Sequence, residues 1–290
     1  MATLAQWVEG ARPRTLPAAI APVCSGVAIA VHEGVFRWGL AVLCLVVGLS
    51  LQVGVNYAND YSDGIRGTDA NRVGPMRLVG SGAARPQAVK LGAFACFGVA
   101  AAVGLAIVAI SGHWWLLTIG AASIAAAWYY TGGKRPYGYA GLGEVFVFVF
   151  FGLVAVGATT YVLLGRVPLA GWLAAVAIGC LASAILVANN LRDIAGDVVA
   201  GKRTLATRLG EARTRALFLA LLAVAFALLA GVSLLTGPWT LLSLAGAPPA
   251  ARAAALVIRG ASGRELVTVL QLSGLAELLA GFGLLVGCLL

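Results

Sequence analysis

From residue 16 onward the chain is a succession of long apolar runs, and their length leaves few folds open. They fall at 16–32, 38–58, 88–111, 114–130, 142–164, 169–191, 214–236, 239–258 and 266–289. Each is near the ~20 residues with which an α-helix crosses roughly 30 Å of hydrocarbon. Hydrophobic residues make up 61% of the 290-residue chain and charged residues 11%, which excludes a water-soluble domain, where about 25% are charged. In lipid every backbone N–H and C=O must be satisfied within its own element, so the runs are helices. The expected fold is therefore all-α: a polytopic membrane protein of nine transmembrane helices, read as a single domain over residues 1–290. Pro248-Pro249 and Arg252 interrupt the eighth run, which leaves eight spans as the alternative.

Nine spans put alternate connections on opposite sides, and the basic residues test this. Of twenty lysines and arginines, only Arg37 and Arg166 fall on one side, and Arg252 lies in the eighth run. The rest sit with the N-terminus and the connections near 59–87, 131–141, 192–213 and 259–265, which places those segments in the cytoplasm. Trp38, Trp114, Trp115, Trp172 and Trp239 mark the opposite face as an aromatic belt. The net charge of +9 thus reports topology rather than nucleic-acid binding. Residues 2–13 read as an interfacial segment anchored by Trp7, and MATLAQWVEGARPR lacks the basic start of a cleavable signal. The five cysteines are scattered through apolar runs without metal-binding spacing.

Within this apolar chain the aspartates are confined to two stretches. NYANDYSDGIRGTDANRVGPMR (56–77) holds Asp60, Asp63 and Asp69, and NNLRDIAGDVVAGKR (189–203) holds Asp193 and Asp197. They follow the second and sixth runs, so both are cytoplasmic, and their four-helix separation suggests two similar four-helix halves. Asn189, Asp193 and Asp197 recur at four-residue steps, as do Asn59 and Asp63, and Asn56 and Asp60. If the membrane helices continue through them, each presents oxygens on one face. Two such faces would repel one another unless a cation joined them. Mg²⁺ suits hard oxygen ligands, taking one or two carboxylates and filling its shell from substrate phosphates, and the soft ligands of zinc or copper are missing. Arg66, Arg72 and Arg77 in the first stretch, and Arg192, Lys202 and Arg203 in the second, supply cations for phosphate oxygens. Acids and bases at one membrane surface point to a metal-bound diphosphate. Glu144 and Glu277 are left without a role, Glu277 being an acid inside the last span.

At these residues the chain resembles the UbiA superfamily of intramembrane aromatic prenyltransferases, specifically its branch acting on 1,4-dihydroxy-2-naphthoate. The likeness rests on NDYSDGIRGTD with RVGPMRLVGSG, on Tyr130 to Lys134 with PYGYAGLGE, on NNLRDIAGDVVAGKRTLATRLG, and on the opening ARPRTLPAAIAPV. The family's N-x3-D-x3-D motif gives Asn59 and Asp63 but then Gly67, with Asp69 two residues later as the replacement acid; D-x3-D gives Asp193 and Asp197. The resemblance implies helices around a central cavity that opens sideways to lipid. It implies metal at Asn59, Asp63, Asp69, Asp193 and Asp197. It also implies a diphosphate met by Tyr130 and Lys134, with Arg14, Arg72 and Arg77 as further contacts beside Asp60, Asn189 and Lys202. The implied reaction is Mg²⁺-dependent transfer from polyprenyl diphosphate to 1,4-dihydroxy-2-naphthoate, with loss of CO₂, giving demethylmenaquinone at the cytoplasmic face of the cell membrane. Prenylation of 4-hydroxybenzoate is the nearest rival. A secondary transporter is the rival of another class, although its site would lie near the bilayer midplane. A CDP-alcohol phosphotransferase is excluded because Asp63-Gly64 is followed by IRG.

Overall fold

The computed structural model of the chain describes residues 2–67 and 76–290; Asp69 and Arg72 lie outside the described residues. All regular structure among them is helical. In chain order the helices are α1 (Leu4–Gly10), α2 (Pro17–His32), α3 (Trp38–Arg66), α4 (Pro86–Ser111) and α5 (Leu116–Tyr129). They continue with α6 (Gly143–Leu164), α7 (Leu169–Val199), α8 (Leu205–Thr236), α9 (Pro238–Ile258) and α10 (Gly263–Leu289). Two of them run on past the apolar stretches that define them. α3 continues to Arg66 and α7 to Val199, so both acid motifs stand on helices, as the four-residue spacings require.

Among the described residues seven helices are long and apolar enough to cross a membrane, or eight if the bent pair Leu4–Thr15 and Pro17–His32 (51°) forms one span. The expected count of nine is therefore not reached. With the bent pair counted as a span, the missing member is α5, whose 14 residues fall short of the ~20 that a crossing takes. The run broken by Pro248-Pro249 passes the same test. It opens as a 3₁₀ segment, Pro238–Gly246, and the prolines fall in the first turn of the α-helix Ala247–Ile258. There the missing N–H groups have no intrahelical partner to lose.

Helix contacts in lipid depend on close backbone approach, which small residues allow. A Cβ on Gly281 would lie 2.5 Å from the Ala21 carbonyl oxygen of α2, and one on Gly246, Gly283 or Gly287 would strike the backbone across the α9–α10 seam. The core of the second half runs through Ala174, Ile178, Phe218, Leu229 and Leu284, all fully buried. Outward-facing Leu91, Leu105, Ile110 and Leu234 are exposed, as lipid-facing residues would be. Trp38, Trp114, Trp115, Trp172 and Trp239 are also exposed, at the end where Glu33, just after α2, pairs with Arg166 ahead of α7.

Inside α6, residues Phe148–Val154 form a π-helix. Gly152 lets this turn pack directly on α7, because its Cβ would lie 2.5 Å from Gly179 Cα and 2.6 Å from the Ala175 carbonyl oxygen. Gly152→Val should therefore destabilise the protein by about 1–3 kcal/mol through overpacking, read as a lower melting temperature in detergent. Gly98→Ala, inside α4 with nothing within 4 Å of the new methyl, should not lower the melting temperature and by helix propensity should raise it slightly.

Candidate active site

An apolar cavity of about 510 Å³ opens between α2, α3, α4, α5 and α6. Along α3 it runs from Cys44 to Asn59, about 22 Å at 1.5 Å per residue. Its α6 wall holds Phe146, Phe150, Val154, Ala158 and Val162 at four-residue steps, with Val147, Phe151, Ala155 and Thr159 in the row beside them. In an unbroken α-helix each four-residue step drifts about 40°, so Val162 would end up on the far side. The π ladder, bonding i to i+5, takes up extra residues and turns the stripe back onto the cavity. Polar groups collect at one end, where Asn59, Tyr130 and Tyr137 line the mouth. Burial raises the pKa of the Tyr137 phenol, whose hydroxyl donates to the Ala126 carbonyl at 2.8 Å.

On α3 the five polar candidates divide by role. Asp63 is buried and faces Arg77 Nη2 at 3.8 Å, while the Tyr139 hydroxyl donates to its Oδ1 at 2.5 Å. Asn59 Oδ1 accepts from the Thr131 hydroxyl at 2.7 Å, so its oxygen already ties α3 to the turn after Tyr130. Arg66 fastens the same turn, donating to the carbonyl of Thr131 and, at 2.5 Å, to that of Gly133. Asp60 departs from the expected substrate contact. Its two oxygens accept from the Leu78 and Val79 amides at 2.7 and 2.9 Å, so it fixes the loop that carries Arg77. Gly64 lets that loop close, since a Cβ there would collide with Val79. Asn56 also serves the scaffold, donating to the Ala11 carbonyl and to Thr15 Oγ1, both at 2.9 Å.

On α7 the side chain of Arg192 makes a two-pronged contact with Asp193, Nε to Oδ1 at 2.7 Å and Nη2 to Oδ2 at 2.8 Å. The same Nη2 reaches Asn189 Oδ1 at 2.8 Å. Asp197, a turn further on, is buried and lies 3.7 Å from Lys202 Nζ. Lys202 also stands over the Tyr139 ring, 4.6 Å from its centroid. The chain of contacts Asp63–Tyr139–Lys202–Asp197 therefore brings the two acid motifs to one end of the bundle. Lys134 and Arg14 are not drawn in: both are exposed, and neither pairs with the acids among the described residues. Glu144 lies behind the site, where its Oε1 accepts from Asn190 at 2.9 Å. Glu277 is apart from it, wholly buried in α10.

Tyr139 is the residue that sequence reasoning passes over. It lies in PYGYAGLGE, but its partner Asp63 is 76 residues away, and no local periodicity links them. For metal the donor set is of the right kind. Among the described residues no three His, Cys, Asp or Glu side chains gather into a closed cage. Hard carboxylates shared between two helices fit an ion whose remaining ligands come from phosphate and water.

A bundle with paired acids and cations at one end of a deep apolar cavity defines a membrane protein for an amphiphile with an anionic head. The family follows from comparison: the model of the UbiA prenyltransferase family matches residues 19–276, and the chain belongs to that family. It is 54% identical to the 1,4-dihydroxy-2-naphthoate octaprenyltransferase of Mycobacterium tuberculosis over 278 residues, 96% of this chain and 94% of that one. With the enzyme of the same name from Mycobacterium leprae the identity is 52%, over 95% and 93% of the two chains. A UbiA homolog from Archaeoglobus fulgidus, solved bound to GPP and Mg²⁺, shares the fold with a TM-score of 0.68 at 16% identity, covering 97% of this chain and 99% of that one.

Because Asp60 satisfies two backbone amides, Asp60→Ala should cost about 1–3 kcal/mol for each donor left buried. The expected result is a lower melting temperature together with faster proteolysis between Met76 and Arg85. A melting temperature equal to wild type would remove Asp60 from the scaffold.

Proposed function

We propose that the protein transfers a polyprenyl chain from polyprenyl diphosphate to 1,4-dihydroxy-2-naphthoate, releasing diphosphate and CO₂. The product is the reduced form of demethylmenaquinone, an intermediate of menaquinone biosynthesis. The whole chain acts as one transmembrane domain, with its active site at the cytoplasmic face of the cell membrane. The observation that carries this reading is the meeting of two acid-bearing helix ends over a cavity about 22 Å deep, which separates an anionic head from an apolar tail. The names of the mycobacterial relatives support the choice of acceptor, and the basic connections near 59–87, 131–141 and 192–213 support the cytoplasmic side.

In this reading Asp63 with Asn59, and Asp193 with Asp197, would hold Mg²⁺ for the diphosphate. When bound, the metal would supply positive charge to offset the charge growing on the departing diphosphate as the allylic C–O bond opens. Arg77 and Lys202 lie within 4 Å of Asp63 and Asp197 and meet the phosphate oxygens directly. Tyr130 and Phe146 line the cavity mouth, and their rings, with the apolar wall beyond, keep water from the allylic cation. Carbon–carbon bond formation at the carboxylate-bearing ring carbon releases CO₂ and leaves the electron count of the naphthol unchanged. The tail stays out of water, which matters at about 0.8 kcal/mol per CH₂.

Incubation of purified protein with a prenyl diphosphate, Mg²⁺ and each aromatic acid tests the proposal. Product is expected with dihydroxynaphthoate, abolished by chelation and by Asp193→Asn. Consumption of 4-hydroxybenzoate instead would overturn it. The far wall of the cavity gives a second expectation. Gly120 lines it with nothing within 4 Å of its Cβ position, so the Cβ of Gly120→Phe enters open space and the ring takes up cavity volume. Turnover of long prenyl diphosphates should fall relative to short ones, measured by mass spectrometry of products across a donor series.

A further inference from the structure

The two acid motifs stand on helices that are far apart in sequence, and the turn Tyr137–Ala140 bridges them. Its backbone is knitted to the segment after α7: the Tyr139 carbonyl accepts from the Arg203 amide at 2.9 Å, and that of Ala140 from Arg208 Nη2 at 2.9 Å. Gly141, at φ 77°, completes the approach, since a Cβ there would lie 3.0 Å from the Arg203 carbonyl oxygen. The turn is thus built onto the second motif, and the Tyr139 side chain reaches back to the first.

We propose that Tyr139 is a positioning residue for the metal site, orienting Asp63 through its hydroxyl and Lys202 through its ring. The hydroxyl donates to Asp63 Oδ1 at 2.5 Å, which leaves Oδ2 as the oxygen turned towards Arg77, 3.8 Å away. A ligating carboxylate is commonly held by an outer donor on the oxygen that does not meet the metal, and losing that donor weakens metal binding about 10–100-fold. The ring face holds Lys202 Nζ at 4.6 Å and Arg66 Cζ at 5.4 Å from its centroid, a cation–π geometry. Lys202 thereby stays beside Asp197 without being drawn onto Asp63. One side chain sets the geometry of both halves of the site.

This inference rests on the proposed diphosphate chemistry, and its test reads binding rather than turnover. Mn²⁺ affinity is measured by electron paramagnetic resonance on the full chain in detergent, with an unreactive prenyl thiodiphosphate present. Tyr139→Phe keeps the ring and its cation contacts but loses the donor. It should bind Mn²⁺ about tenfold or more weakly, with the metal-free melting temperature unchanged. Tyr139→Leu, which also loses the ring face, should bind more weakly still. Affinity equal to wild type in Tyr139→Phe would overturn the positioning role. So would a melting temperature that falls in step with the affinity, because the residue would then be structural. Failure of the wild-type protein itself to bind Mn²⁺ with the thiodiphosphate would overturn the diphosphate reading as well, which separates the two.

Discussion

Carboxylates at the end of an apolar bundle have to be paired or hydrogen-bonded where they stand, and the polar architecture follows from how each one is satisfied. A buried charge without a partner costs several kcal/mol. Here Asp60 has backbone amides, Asp63 has Tyr139 and Arg77, Asp193 has Arg192, and Asp197 has Lys202. These partners differ in what they leave available. Asp60 uses both oxygens on the chain and becomes scaffold. The other three are held by cationic side chains and, for Asp63, a hydroxyl, partners that on the proposed function incoming phosphate and metal would displace or share.

The same constraint shapes what surrounds the acids. Arg77 is useful only if its loop is fixed, and Asp60 with Gly64 fixes it. The turn after Tyr130 is held by Asn59 and Arg66, so part of the first motif braces the loop that carries the tyrosines. Below them the π segment keeps one apolar stripe of α6 on the cavity through its full depth. Head and tail sites are therefore aligned by two devices, one of polar pairing and one of helix pitch.

The helical class, the apolar spans and the two acid faces are legible in the sequence because they depend on local period and composition. Asn59/Asp63 and Asn189/Asp193/Asp197 announce helices beyond the membrane runs, and α3 and α7 do continue that far. Tyr139 is not legible, since its contacts join segments that only the fold brings together. Nor is the structural use of Asp60, which by spacing looks the equal of Asp63 but sits about 60° round the helix from it, where it meets the 76–80 loop. The π turn leaves a trace only in hindsight, as a period-four apolar stripe across 146–162. The shortness of α5 is hidden because Trp114, Trp115 and Tyr130 extend its apolar run past the helix ends.

The glycine contacts across the α9–α10 seam and between Gly281 and Ala21 have a mechanical consequence. Backbone pressed on backbone has no side chains to rearrange, so α2, α9 and α10 move as one slab. α5 is short and packs only lightly against α3 and α4. Compliance is thus concentrated on one flank of the cavity and stiffness on the other. A long hydrocarbon that must slide in and out of the bilayer would pass on the yielding flank, while its charged end is registered by the acid-bearing ends of α3 and α7.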